Sequence, residues 1–134
     1  MFETKITPQF ADLGPMRYIK NNVIGNWFEI GRNDIFRFFT PDLDLRYGKW
    51  KLIMLKTENT FINNIKYGED VLIKTFITHI GNTSFTISHE AWQDNQLKAK
   101  GNAIIVHFDF TKQTKKPIPN EIKEKLKKHY KESS

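Results

Sequence analysis

At 134 residues the chain is long enough for one domain and short of two, and a domain of this size buries roughly two-thirds of its unfolded surface. It contains no cysteine, which excludes disulfides, cysteine nucleophiles and cysteine-based zinc or iron–sulfur sites. The net charge is +6, and the excess gathers late: Lys112, Lys115, Lys116 and the lysine-rich stretch Lys123 to Lys131 are opposed there only by Glu121 and Glu124. Such a balance suits an anionic partner. Its confinement to one end reads as a solvated tail helix, and the basic stretch lacks the aromatic interleaving of a nucleic-acid reader, so no nucleic-acid partner is expected. No apolar run approaches the roughly 18 residues of a membrane span. The opening MFETKITPQF has an early Glu and no apolar signal core, so the expectation is a soluble, cytoplasmic protein.

Thr4 to Phe10 alternates and reads as a first strand, with Pro8 pushing it towards an edge or a loop. Gly14-Pro15 signals a turn. Asn21 or Asn22 is a candidate N-cap, because a short side-chain oxygen can accept from the free amides of a first helical turn. Val23, Ile24, Trp27, Phe28, Ile30, Ile35, Phe38 and Phe39 then recur every three or four residues and predict a helix with one apolar face, stopped by Thr40-Pro41. Gly25 and Gly31 each weaken that helix by about 1 kcal/mol relative to Ala, which points to close packing on a sheet.

The remainder is strand-rich. Lys49 to Ile62 is the first such run, with a bend expected near Glu58-Asn59. After a turn at Tyr67 to Asp70, Val71 to Ile80 places Val71, Ile73, Thr75 and Ile77 on one side and Leu72, Phe76 and Ile80 on the other. Gly81-Asn82 and Asp94-Asn95 are hairpin turns flanking Thr83 to Gln93, and Leu97 to Phe110 is the last long strand. Pro117 and Pro119 lead into a short basic helix at about 120–130. One long helix beside several antiparallel strands has an obvious seat on the concave face of the sheet. The other apolar positions then call for a partner copy.

The stretch FADLGPMRYIKNNVIGNWFEIGR, Phe10 to Arg32, resembles the signature of hotdog-fold thioesterases of the 4-hydroxybenzoyl-CoA thioesterase type, roughly F/Y-x-D-x-D-x-x-G-H-V-N-N-x-x-Y-x-x-Y-F-E-x-x-R. No gap is needed between Asp12 and Arg32. Weaker matches follow in order: Tyr67-Gly68-Asp70, Ile80-Gly81 with Ser84-Phe85, and Pro117-Ile118-Pro119. The resemblance implies one α+β hotdog domain over 1–134, a long helix packed on a five-stranded antiparallel sheet. It also implies a homodimer or dimer of dimers with the site between subunits. The implied substrate is an acyl-CoA or acyl-carrier thioester, with no cofactor beyond the CoA of the substrate and no metal.

By the same resemblance, the backbone amide at Asn21 is the oxyanion donor, favoured by the helix dipole. Gly14, Tyr18 and Asn22 fall at substrate-lining positions. The family's second loop Asp, its usual base, is Gly14 here, and its His and Gly are Tyr18 and Arg17. Asp12 matches the first loop Asp and is the replacement base. In an extended loop it faces the same way as position 14, but roughly 6.5–7 Å away, so it acts through a loop shift or a bridging water. Glu29, which is spaced to pair with Arg32, is the next carboxylate to consider. The hotdog hydratase pattern D-x-N-x-x-H fits less well, since Asp12 to Arg17 reads D-L-G-P-M-R. The alternative to hydrolysis is a hotdog module that has lost its base and binds acyl thioesters or lipids without turnover.

Overall fold

The computed structural model describes residues 1–46 and 48–132 and lays one long helix across an antiparallel sheet. Its strands are β1 (Phe2–Ile6), β2 (Leu52–Phe61), β3 (Val71–Ile80), β4 (Ser84–Gln93) and β5 (Gln96–Asp109), in the spatial order β1-β3-β4-β5-β2. A short β6 (Thr114–Lys115) pairs with the end of β5. The helices are α1 (Asn21–Phe36) and α2 (Asn120–Lys127). This is the expected hotdog arrangement, with the five-stranded path present and β6 as a small addition. Among the described residues no helix is long and apolar enough to cross a membrane.

Most of the predicted apolar stripe of α1 is buried, with Ile24, Trp27, Phe28 and Ile35 inside, but Ile30 is exposed, and Gly31 and Arg32 are buried instead. Its ends differ from the sequence reading. The helix proper stops at Phe36, and the amides of Phe38 and Phe39 turn back to Ile35 and Phe36 as a tightened last turn before Pro41. At the start, Lys20 is the cap residue, with no side-chain cap bond, so neither Asn21 nor Asn22 caps the helix. The reason is backbone anchoring. Ile19 N donates to Ile65 O and Lys20 N to Asp12 O, both at 3.0 Å, which carries the chain into the helix one residue early and puts the asparagines in its first turn.

Other boundaries moved for similarly local reasons. β1 begins earlier than predicted and ends at Ile6. Pro8 follows, and Phe10–Asp12 forms a 3-10 turn. β2 shows no bend at Glu58-Asn59 and runs unbroken to Phe61, with a bulge between Met54 and Lys56. A second bulge between Ile77 and His79 changes the alternation of β3, so Ile80 pairs with Phe85 and packs with the core instead of lying with Leu72 and Phe76. Asp94 and Asn95 both take positive φ, 56° and 58°, as a two-residue hairpin of the primed type requires. α2 ends at Lys127. Beyond it the chain runs alongside β3, with Ile77 N donating to His129 O and Lys131 N to Ile77 O.

The helix meets the sheet closely at two glycines. A Cβ on Gly31 would come within 2.5 Å of Thr75 Oγ1, and one on Gly101 would meet Asn59 and the Phe28 ring. The glycine inside the helix thus does what its cost implied. Between the two apolar clusters lies a polar seam. His89, 1% exposed, stacks on Phe28, with ring centroids 5.0 Å apart, and its Nδ1 is 3.0 Å from Thr75 Oγ1. Arg32 Nη1 donates to His89 Nε2 at 3.3 Å, so Nδ1 carries the imidazole proton and donates to Thr75. Arg32 is buried and forms no salt bridge with Glu29 among the described residues. Its pairing with the imidazole replaces the Glu29–Arg32 pair expected from spacing.

Burial, and then the neighbouring Arg32 charge, pushes the His89 pKa down to about 3. Burial also lowers His107. The unfolded chain therefore binds protons between about pH 6.5 and 3 that the folded chain refuses, and stability falls as pH falls through that window. One such group changes the stability by up to about 1.4 kcal/mol per pH unit within the window. Urea midpoints measured from pH 7.5 to 4.5 are expected to drop progressively, and His89→Gln is expected to flatten the slope. An unchanged slope in His89→Gln would contradict this assignment.

Candidate active site

The first turn of any α-helix has N–H groups without an intrahelical partner. In α1 the amides of Val23 and Ile24 both reach Lys20 O, at 3.1 and 3.3 Å, whereas those of Asn21 and Asn22 donate to no described residue. Beside them is a cavity of about 340 Å³ whose walls include Ile19, Asn21, Ile24, Phe61, Ile62, Asn63 and Asn64. One side of this cavity is therefore the helix start, with its positive dipole end, and the other is the end of β2. β2 is a sheet edge: among the described residues it pairs with β5 on one side and with no strand on the other. Met54, Leu55, Phe61 and Ile62 are exposed along it.

The loop before the helix is closed on itself. Leu13 bridges Ile19, Gly14 N donates to Tyr18 O at 2.9 Å, and Arg17, at φ 64°, donates back to Gly14 O at 3.0 Å. The loop holds Asp12, Gly14 and Tyr18 in one short turn that leads directly into Asn21.

A thioesterase-like superfamily model matches residues 8–126. The solved structure of a predicted thioesterase from Bacillus stearothermophilus is 38% identical, superposes with a TM-score of 0.91, and matches over 99% of this chain and 98% of that one. The chain belongs to the thioesterase-like superfamily. More distant structures share the fold. A thioesterase from Thermus thermophilus, complexed with coenzyme A and Zn, is 21% identical, with a TM-score of 0.79 over 92% of this chain and 95% of that one. A 1,4-dihydroxy-2-naphthoyl-CoA thioesterase from Synechocystis is 17% identical, with a TM-score of 0.77 over 93% and 94%. A search of curated protein sequences found no match.

Of the residues singled out from the sequence, Asn21 lines the cavity, whereas Asp12, Gly14, Tyr18 and Asn22 lie in the adjoining loop and helix turn outside its lining. Asn21 and Asn22 form the first turn of α1 and are exposed, and Asn21 lines the cavity. Tyr18 is exposed at the loop tip. Asp12 is half-buried, and its Oδ2 accepts from Gln9 N at 2.8 Å within its own turn. Its carboxylate is thus partly engaged in holding the loop. Glu29 lies two turns along α1, exposed and outside any described salt bridge. Sequence reasoning missed the far wall, Phe61 to Asn64. Its available signal was the Asn63-Asn64 pair interrupting an apolar run where a strand gives way to a loop. Among the described residues no group of three or more His, Asp or Glu is placed to hold a metal ion.

Proposed function

We propose that the protein hydrolyses an acyl-CoA or acyl-carrier thioester to the free acid and thiol. The observation that carries this reading is the helix start at Asn21, whose amide has no acceptor among the described residues, beside a cavity at the sheet edge that Asn21 lines. Membership of the thioesterase-like superfamily supports thioester hydrolysis in general terms, and the CoA-bound Thermus structure supports a CoA-type substrate. In this reading the thioester carbonyl oxygen lies against the Asn21 N–H. Water adds to the carbonyl carbon, and the amide and the helix dipole stabilise the resulting oxyanion. The C–S bond then breaks, and the thiolate leaves and takes a proton. Asp12 receives the proton of the attacking water through a bridging water. Tyr18 and Asn22 flank the entry, and Gly14 leaves room for the substrate where the family pattern has Asp.

The reading includes a homodimer. An edge strand with unpaired N–H and C=O groups and exposed apolar side chains is a template for pairing, and two copies related by a two-fold axis pair such edges antiparallel. Light scattering at micromolar concentration is expected to give a mass of two chains or a multiple of two. A monomer would remove the subunit contact at which the site is placed.

One observation favours the alternative, a module that binds acyl thioesters without turnover. Position 14 has no carboxylate, and Asp12 already accepts the Gln9 amide. A panel of acyl-CoAs separates the two readings: turnover supports the hydrolase, and saturable binding without product supports the module.

A further inference from the structure

The helix-start cavity has a polar neighbour that the proposed chemistry does not use. Phe61 lines that cavity, and Asn59, two residues upstream, is next on the same face of β2. Its carboxamide is held inward between two glycines. Asn59 pairs across the sheet with Gly101 of β5, where a Cβ would meet Asn59 Oδ1 and the Phe28 ring. On the helix side, Asn59 Nδ2 lies 3.4 Å from where a Cβ on Gly25 would stand. Gly25, Gly101 and Phe28 thus form a slot for this one side chain.

Neither end of the carboxamide has a hydrogen-bond partner among the described residues. Asn59 is also exposed, so a ligand can reach it. Gly25 follows Asn21 by four residues and lies on the same face of α1, about 5.4 Å further along the axis. From the Asn21 amide, one direction leads past Gly25 towards buried Trp27 and Phe28, and the other leads to the exposed loop at Asn63 and Asn64. The acyl group takes the inward path, because the charged CoA or carrier arm must stay in water.

An alkyl chain laid over Asn59 would strip water from the carboxamide and return no hydrogen bond. A hydroxyl donates to Oδ1 and accepts from Nδ2, which matches what the carboxamide offers. With the thioester oxygen bonded to the Asn21 amide, a hydroxyl on the third carbon reaches one helical turn along the same face. We infer that Asn59 is a specificity-determining residue and that it selects acyl thioesters carrying a hydroxyl group on the third carbon. This rests on the proposed thioester hydrolysis and names the acyl class taken by that same site.

The test compares butyryl-CoA with the two enantiomers of 3-hydroxybutyryl-CoA, read as thiol release by the full chain. In wild type, kcat/KM for the better enantiomer is expected to exceed that for butyryl-CoA on the order of tenfold or more, since a site built to bond a hydroxyl rejects the analogue lacking it. Asn59→Leu, similar in size and without polar atoms, is expected to bring the ratio to about one or below. Glu58→Gln changes the neighbouring residue, whose side chain lines a different cavity with Ser88, Glu90 and Asn102, and is expected to leave the ratio as in wild type. Thermal melts confirm that both variants fold. A wild-type ratio near one, or a ratio that Asn59→Leu does not change, overturns the assignment and leaves hydrolysis standing. If no thiol is released from any of the three, the hydrolytic reading falls, and the same ratio is read from calorimetric Kd values. Tighter binding of a hydroxyl compound that is lost in Asn59→Leu then upholds the assignment, and equal binding overturns it.

Discussion

Gly14→Asp is expected to raise acyl-CoA hydrolysis at least about tenfold, because a positioned general base typically contributes about 10²- to 10⁴-fold. The local structure permits the change. Gly14 does not occupy the left-handed region, so the backbone imposes no strain on a side chain there. An added Cβ would lie 3.1 Å from Lys20 Cγ, the stem of an exposed and flexible side chain that can move aside. The nearby ammonium would also favour the ionised carboxylate. The gain is read as thiol release, with thermal melts confirming that the variant folds like wild type. Asp12→Asn is the companion. It keeps an oxygen for the Gln9 amide and removes the carboxylate, so wild-type turnover is expected to fall sharply while the melting temperature moves little. A fast wild type that ignores both substitutions would place the base elsewhere, and Glu29 is the next to test.

Phe28→Ala is expected to cost about 3–5 kcal/mol of stability, the range for truncating a buried aromatic. Phe28 is fully buried between α1 and the sheet, stacks on His89 and lies over the backbone of Gly101. Truncation leaves a void that neighbouring strands cannot collapse into, and it uncovers the polar seam of His89, Thr75 and Arg32. Urea denaturation reads the loss directly as a lowered midpoint. A shift below about 1 kcal/mol would mean that the helix is held by contacts other than this one.

The sheet and the long helix were legible because both periodicities were strong. Val71, Ile73, Thr75 and Ile77 are all buried on the face the alternation assigned, and Ile24, Trp27, Phe28 and Ile35 form the helix stripe. Boundaries were not legible where distant backbone took over. The ties from Ile19 to Ile65 and from Lys20 to Asp12 set the helix start, and nothing local to Asn21 encodes them. The β3 bulge likewise moved Ile80 to the core face without a glycine or proline to mark it. The candidate site was legible only in part. The loop and first turn were carried by a contiguous motif from Phe10 to Arg32. The opposite wall, Phe61 to Asn64, joins it only through folding. Arg32 shows the limit of spacing rules: a Glu three residues before it suggested a surface pair, but the close approach permitted by Gly31 turns the guanidinium inward to a neutral imidazole.

Acyl-CoA turnover by the wild-type chain, followed as free thiol across a panel of acyl groups and repeated with Asp12→Asn, tests the central claim most directly. The account predicts saturable hydrolysis of at least one acyl-CoA and its loss in Asp12→Asn without loss of fold. Saturable acyl-CoA binding by a folded dimer with no thiol released from any member of the panel would contradict it.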